Sequence, residues 1–456
     1  MKYRLLNISD RPNALAEPEL FDGLKLKFAA LNQTERVVCG LIVLTPLWWL
    51  WGWSYLIILL GLVIFGYEWR QTGSLSLKSP GAMVILALCF GSYSIITSIF
   101  YLKLHGIAFG PRQILGIVES WIVPAFLLWY IQSKRLKIRL QPLAWAFSLL
   151  VGEMMVVLLI SLVVFQQADY APLRSLFGVI GDKSTEFFHG AGNTNYLLPY
   201  LALDEGFVPG LVRYIFFFPG PEALALITGF IALLALDLKN RGWSWVLFAG
   251  AYFISLLSGT RSVLVSLFLV IILRYFITAG KTFGLALMLA VMAAISFATF
   301  SFPPSSNLIF DSVEQVVQEV DSARADSTEG RSEVYSQTWR KITLASEPEL
   351  FLGHVVPGES VTPYYEPAKI GTHSFYLSTL LYRSGVIGTL IFLGFWASVW
   401  VWFYSTRQIR PLCCCLALVL FSLTFTVMEL ERPVMPLILL CSMLEQPSLS
   451  LTRRSR

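Results

Sequence analysis

Long apolar runs separated by short polar segments cover most of the chain from residue 37 to residue 444. A helix needs about 20 mostly apolar residues to cross a bilayer. The pattern therefore predicts twelve membrane-spanning helices, with ends uncertain by a few residues: 37–49, 51–67, 80–101, 114–131, 143–165, 214–236, 243–257, 262–276, 283–300, 386–404, 413–428 and 434–444. Within residues 37–67, Pro46 and the tryptophans at 48, 49, 51 and 53 predict a break at a membrane interface. The last span is short.

Basic residues alternate along this pattern as the positive-inside rule requires. With the N-terminus inside, 21 of the 34 Lys and Arg residues, but only 8 of the 29 acids, fall on the cytoplasmic side. The alternation predicts an even number of spans and both termini in the cytoplasm. The net charge of +5 then reflects topology, so we expect membrane lipids and no nucleic acid as partners.

Composition agrees with this interpretation and excludes a soluble enzyme. Hydrophobic residues make up 56% of the chain and charged residues only 14%, whereas soluble domains carry about 25% charged residues. We expect an all-α, polytopic membrane protein of about twelve helices. Its predicted parts are a cytoplasmic tail (1–36), nine spans with an outer loop at 166–213 (37–300), a large outer loop (301–372), three spans (373–444) and a second cytoplasmic tail (445–456).

Two outer loops, 166–213 and 301–372, are too long to be simple connections. The second carries eleven acids against five bases. Valines at helical spacing predict an amphipathic helix over 311–323, and a second helix is expected over 331–344, ending before Pro348. A folded loop of this kind is where we expect the chemistry.

The segment Ser258-Gly-Thr-Arg-Ser262 lies at the outer start of a predicted helix. Unpaired backbone N–H groups at a helix start attract anions, and Arg261 adds a fixed positive charge, so this segment could bind phosphate. The alternative is an arginine that only anchors the helix at the lipid headgroups.

Two further residues in the outer loop could take part in chemistry. Arg331 follows Gly330 at the expected start of a loop helix, where a solvated ion pair with Glu329 or Glu333 is the simpler interpretation. His373 precedes the short amphipathic segment 375–383 and then Gly385-Val-Ile-Gly388. A histidine titrates near neutral pH and could act as a general base, although a lone loop histidine is more often structural.

Together, these motifs resemble the bacterial O-antigen ligase and polymerase family over roughly residues 211–404. The resemblance rests on three elements in order: Ser-Gly-Thr-Arg261, then Gly330-Arg331 to Trp339 with Leu352-Gly353, then His373-Ser374 with Gly385-x-x-Gly388. Ser374 stands where Asn is commoner in the family.

The resemblance implies an inverting glycosyltransferase of the bacterial inner membrane that needs no metal or cofactor, with the large loop 301–372 in the periplasm. The donor would be an undecaprenyl-diphosphate-linked glycan, and the acceptor lipid A-core or another glycan. By the same resemblance, Arg261 and Arg331 bind the donor diphosphate, His373 is the base, and Arg213 is a further substrate-binding arginine.

Several alternatives stay open at this point. A polymerase of the same family would use the same donor chemistry as a ligase. A small-anion (bicarbonate) transporter is a different class, for which Glu119, Glu153 and Glu222 in predicted spans would be the functional acids. A structural membrane scaffold is the least specific alternative.

Overall fold

The computed structural model describes residues 20–23, 25–53, 55–74, 77–106, 111–163, 172–180, 195–205, 211–283, 325–361 and 368–446. Within them the chain is mostly helical. Its α-helices are α1 Gln33–Val43, α2 Thr45–Trp51, α3 Leu56–Thr72, α4 Ala82–Leu104, α5 Pro111–Ile117, α6 Val123–Lys134, α7 Leu140–Val163, α8 Leu176–Ile180, α9 Pro221–Ala235, α10 Arg241–Leu257, α11 Arg261–Phe283, α12 Ala325–Thr343, α13 Glu347–Leu352, α14 Ser384–Ser405, α15 Leu412–Thr424 and α16 Val434–Met443.

Two π-helical segments and three small sheets complete the described elements. The π-helix Val118–Ile122 joins α5 to α6, and the π-helix Phe375–Arg383 precedes α14. The strands pair two by two: β1 Phe21–Asp22 with β2 Lys25–Leu26, β3 Ile138–Arg139 with β6 Leu444–Glu445, and β4 Tyr200–Glu205 with β5 Val212–Tyr214. The β3–β6 pair is parallel, with Ile138 opposite Leu444.

Five described helices are long and apolar enough to cross a membrane: Ala82–Leu104, Ile114–Lys134, Leu140–Val163, Arg261–Gly280 and Phe375–Ser405. A sixth candidate is the pair Thr45–Trp51 and Leu56–Gln71, bent by 112° where the tryptophan cluster predicts a break. Shorter apolar helices are Pro221–Ala235, Leu412–Thr424 and Val434–Met443. The structure thus confirms a mostly helical protein with candidate membrane spans, and the number twelve stays a prediction.

Some predicted boundaries were wrong. Tyr214, the expected start of the sixth span, ends strand β5, and α9 begins only at Pro221. Phe216 has a left-handed backbone (φ 46°), which interrupts a regular helix at this point. The loop helix α12 begins at Ala325, so Arg331 lies in its second turn and not at its start. The predicted span 283–300, apart from its first residue, and the predicted helix 311–323 lie outside the described residues.

Helix α9 is the centre of the bundle. It packs against α7, α10, α11 and α15, and its residues from Ala223 to Ala235 are almost all buried. Polar and apolar faces are therefore not separated along it, as expected of a helix that is covered on all sides.

The bundle has two ends that can be told apart by their ion pairs. Beyond the C-terminus of α9, Asp237 pairs with Arg274 of α11 at 2.6 Å and accepts a hydrogen bond from the backbone N–H of Cys413 at the start of α15. The opposite end holds the start of α9, the turn between α10 and α11, and the end of α15. We call this second end the site end, because the candidate residues described next lie there.

Candidate functional site

His373 lies in a constrained backbone segment at the site end. Its φ is 67°, in the left-handed region that non-glycine residues adopt only where the surroundings enforce it. Two residues earlier, Gly371 also has a positive φ, and a Cβ there would overlap the ring of Tyr382. The chain can therefore make this turn only with glycine at 371, which explains the Gly-x-His spacing.

Ser374 caps the π-helix that follows His373. Its hydroxyl accepts a hydrogen bond from the backbone N–H of Leu377 at 3.2 Å, and the residue is 2% exposed. Ser378 closes the same turn by donating to the carbonyl oxygen of Thr372 at 2.6 Å. Since serine and asparagine are both good N-caps, serine can take the place of the commoner Asn of the motif at this position.

The loop helix α12 docks directly on the segment that carries His373. The Tyr335 hydroxyl donates to the carbonyl oxygen of His373 at 3.0 Å, and the Thr338 hydroxyl oxygen accepts from the backbone N–H of Gly371 at 2.9 Å. Thr338 is fully buried. Arg331 is four residues before Tyr335 and so lies on the same helix face. The structure therefore brings Arg331 and His373 together.

Burial and nearby charges act on the pKa of His373. Burial lowers the pKa of His373 below its ordinary value, and the positive charge of Arg331 lowers it further. Glu429 and Glu222 act in the opposite direction on the same pKa. The net lowering of the pKa favours the neutral imidazole, the form that a general base needs before it takes a proton.

The two acids that act on His373 are each held by an arginine. Glu429 pairs with Arg383 at 3.1 Å. The carbonyl oxygen of Met428, next to Glu429, accepts from the backbone N–H of Phe375 at 2.8 Å. Glu222 in the first turn of α9 pairs with Arg213 at 3.7 Å.

Arg213 is a buried arginine that connects this acid to the Ser-Gly-Thr-Arg turn. It is 9% exposed, and its Nε donates to the carbonyl oxygen of Ser258 at 2.8 Å. Gly259 has a φ of 64°, and a Cβ there would lie 3.0 Å from Nε of Arg213. The structure therefore gives Arg213 a positioning role at the turn.

Arg261 begins α11 directly after this turn and is half-buried. Thr260 before it is 5% exposed, with its backbone N–H directed to the Ser258 hydroxyl at 3.2 Å. The predicted helix start at Arg261 is confirmed. Arg261 thus follows the turn that Arg213 contacts at Ser258, and Arg213 in turn pairs with Glu222, whose charge acts on His373. Arg331 lies on the helix that Tyr335 joins to the His373 carbonyl.

A third acid, Glu431, belongs to the same cluster. Burial, together with the negative charges of Glu222 and Glu429, raises the pKa of Glu431 to about 8. Arg432 next to it acts in the opposite direction. At neutral pH the Glu431 carboxyl is mostly protonated, so it can donate a hydrogen bond as well as accept one.

The glycine motifs form the contact between the loop and the last long span. Gly353 and Gly385 both have positive φ, and a Cβ on Gly385 would overlap the carbonyl oxygen of Phe351. Gly388 lies against the ring of Tyr93, whose hydroxyl donates to the carbonyl oxygen of Ser384 at 2.8 Å. These glycines allow helix α13 to pack on the start of α14, which explains why the motifs occur together.

Among the described residues, no group of three or more His, Cys, Asp or Glu side chains could hold a metal ion. No family model matches the sequence, and no curated protein matches it either. Membership of the O-antigen ligase and polymerase family therefore stays a prediction from the motifs.

Sequence reasoning missed three residues that hydrogen-bond to the His373 segment, Thr372, Tyr335 and Thr338, and two acids of the neighbouring cluster, Glu429 and Glu431. The two acids could have been found, since Glu-Leu-Glu-Arg interrupts two apolar runs on the predicted outer side. The three hydroxyl residues carry no sequence signal of their own, because their roles depend on contacts between segments far apart in the chain.

Proposed function

We propose that the protein is a membrane glycosyltransferase that moves glycan from an undecaprenyl-diphosphate donor to an acceptor hydroxyl. One observation carries the proposal: the charge of Arg331, on a helix that Tyr335 fastens to His373, acts directly on that histidine. A cation beside a neutral imidazole provides both a binding group for a diphosphate and a base for a hydroxyl.

The proposed reaction is a single displacement at the anomeric carbon. The acceptor oxygen forms the new bond to carbon while the bond to the diphosphate oxygen breaks, and its electron pair leaves with undecaprenyl diphosphate. His373 takes the proton of the acceptor hydroxyl. Arg331 and Arg261 neutralise the charge that develops on the leaving group, and Arg213 positions the turn that carries Arg261. The anomeric configuration is inverted, and the proposal includes no metal or cofactor.

A lipid-linked donor requires a site that is open to the membrane. We propose twelve spans in a bacterial inner membrane, both termini in the cytoplasm and the site end at the periplasmic face. The candidate spans and the positive-inside alternation support this orientation. Cysteines introduced singly at Ser332 and Gln408 test this orientation. In intact cells, a thiol reagent that does not cross the membrane should label only the cysteine at 332.

The activity test uses alanine variants of three residues, Arg261, Arg331 and His373, in a strain that depends on this protein. Each variant should insert into the membrane at the wild-type level and lose the transferred glycan. The matched control is Arg407→Ala, an exposed arginine at the opposite end of α14. Full transfer by the His373→Ala variant would remove the proposed base.

Ligase and polymerase activities of this family share the donor and differ in the acceptor. A ligase attaches glycan to lipid A-core or another acceptor, whereas a polymerase joins repeat units. In a deletion strain, loss of attached polymer indicates a ligase. A change to single repeat units that are still attached indicates a polymerase.

Transport of a small anion such as bicarbonate is the second candidate. An observation that favours it is Glu153 within the candidate span Leu140–Val163, whose buried Oε2 has no hydrogen-bond partner among the described residues. Uptake of labelled bicarbonate by vesicles that contain the purified protein distinguishes the two functions. Uptake that depends on Glu153 would support transport over transfer.

A further inference from the structure

One ring nitrogen of His373, Nδ1, is hydrogen-bonded to the side chain of the preceding residue, Thr372. Nδ1 of His373 lies 2.7 Å from the hydroxyl oxygen of Thr372. The same hydroxyl lies 2.6 Å from the carbonyl oxygen of Lys369. These three atoms form a short hydrogen-bonded chain that ends at the imidazole.

The direction of this chain follows from counting protons. A threonine hydroxyl has one proton to donate, and a carbonyl oxygen has none. The 2.6 Å contact between two oxygens therefore requires that the Thr372 proton points to Lys369, because two acceptors without a proton between them would repel each other. The hydroxyl oxygen can then only accept from Nδ1, so Nδ1 carries the ring proton.

The carbonyl at the end of the chain is itself fixed. Lys369 forms an antiparallel bridge with Ser360, and on either side the backbone N–H of Val361 donates to Ala368 at 2.7 Å and that of Ile370 to Glu359 at 3.1 Å. The backbone N–H of Thr372 donates to the same Lys369 carbonyl at 3.2 Å. The Lys369 carbonyl is therefore held where it meets both the hydroxyl and the backbone N–H of Thr372.

We propose that Thr372 is a positioning residue that fixes the tautomer of His373, leaving Nε2 unprotonated as the atom that accepts a proton. In other catalytic pairs a carboxylate accepts a hydrogen bond from one ring nitrogen of the histidine and so fixes its tautomer. Here the acceptor is the neutral Thr372 hydroxyl, which itself donates to the Lys369 carbonyl. The part of this inference that makes Nε2 the proton acceptor rests on the proposed function. The assignment of the ring proton to Nδ1 does not.

Charged groups around the ring do not replace this hydrogen bond. Arg331 on α12, Glu429 after α15 and Glu222 on α9 all act on His373 through space. They shift the balance between neutral and protonated imidazole, but none of them is hydrogen-bonded to Nδ1 among the described contacts. Only the Thr372 hydroxyl distinguishes one ring nitrogen from the other there.

The test is the tautomer of His373, measured by nitrogen NMR on protein labelled at the histidine ring nitrogens. The chain has four histidines, and the His373→Gln variant assigns the signal. In the wild type and in Thr372→Ser, the signal should show protonated Nδ1 and unprotonated Nε2 at pH 8. In Thr372→Val it should show a mixture with a large share of protonated Nε2.

Activity gives a second readout. Thr372→Val should lower kcat roughly 10- to 100-fold with little change in KM, since the proposed role of Thr372 acts through His373, and Thr372→Ser should restore most of the activity. The control Thr389→Val removes a hydroxyl that donates within its own helix, to Gly385 at 2.7 Å. It should leave both readouts unchanged.

The outcomes separate the two proposals. A wild-type His373 protonated at Nε2, or a Thr372→Val variant with an unchanged tautomer, overturns the role of Thr372. If the tautomer changes in Thr372→Val as predicted but the His373→Gln variant is active, the proposed transferase mechanism is wrong. The role of Thr372 in fixing the tautomer is then still supported.

Discussion

The hydroxyl of Tyr335 donates a 3.0 Å hydrogen bond to the carbonyl oxygen of His373. This contact joins the loop helix that carries Arg331 to the strained residue that would act as base. Because the His373 backbone is in the left-handed region, its conformation needs support from outside the segment. Tyr335 provides it through one atom.

Removing that atom should reduce activity without unfolding the protein. In Tyr335→Phe the His373 carbonyl loses its partner, which costs about 1–3 kcal/mol locally, and we expect transfer to fall about 5- to 50-fold. Tyr404→Phe, an exposed tyrosine at the other end of the bundle, is the control. Steady-state rates in detergent measure the effect, and equal rates for both variants would show that the contact has no role in catalysis.

The pH dependence of transfer should report the charge of Arg331. Activity should rise with pH through the pKa of His373, which burial and Arg331 hold below its ordinary value of about 6.5. In Arg331→Gln that pKa rises, so the pH at which the residual transfer activity is half-maximal should be a few tenths of a unit higher than in Arg331→Lys. Since Arg331 is exposed, the difference should shrink at high salt.

Glu429 should have the opposite effect, because its negative charge raises the pKa of His373. In Glu429→Gln, the pH at which transfer activity is half-maximal should be lower than in the wild type. If the pH of half-maximal activity shifted in the same direction in Glu429→Gln and Arg331→Gln, that result would contradict the charge arrangement around His373.

Glu431 should make stability depend on pH. Its folded pKa, about 8, lies above that of an ordinary Glu side chain, about 4.3. The folded state therefore holds a proton that the unfolded state has lost, and stability decreases as pH rises between these two values. Glu431→Gln has no carboxyl to titrate and so does not lose this stability. The difference between its Tm and that of the wild type should therefore increase by roughly 2–4 °C from about pH 5 to about pH 9. A constant difference across this range would exclude the raised pKa.

Gly385 should be essential for docking the loop. Its backbone (φ 63°, ψ −174°) is open only to glycine, and a Cβ would meet the Phe351 carbonyl. Gly385→Ala should lower the melting temperature by several degrees, equivalent to roughly 2–4 kcal/mol. Gly66→Ala is the matched control, since a Cβ there meets nothing within 4 Å. Thermal melts monitored by size-exclusion chromatography compare the two.

The sequence was sufficient to predict features that depend on local pattern. The helix start at Arg261, the loop helix around Arg331 and the break in the tryptophan cluster follow from apolar spacing, charge and proline. Arg213 was singled out only by the resemblance, and its role in substrate binding stays a prediction; the structure shows its side chain against Gly259. Even so, the pattern did not predict that Tyr214 ends a strand.

The hydrogen bonds that orient His373 could not be predicted in this way. Tyr335 and His373 are 38 residues apart, and a tyrosine in an amphipathic helix has many possible partners. Thr372 is adjacent to His373, yet its proton direction depends on where the Lys369 carbonyl lies. Such relationships follow from tertiary geometry, which apolar periodicity does not determine.

The most direct test of the central claim is release of undecaprenyl diphosphate by the purified protein. Vesicles containing the protein, an undecaprenyl-diphosphate-linked glycan and an acceptor glycolipid should release the lipid diphosphate in step with glycan attached to the acceptor. We predict loss of both products in His373→Ala, with donor binding retained. Equal product formation by His373→Ala and the wild type would contradict the account.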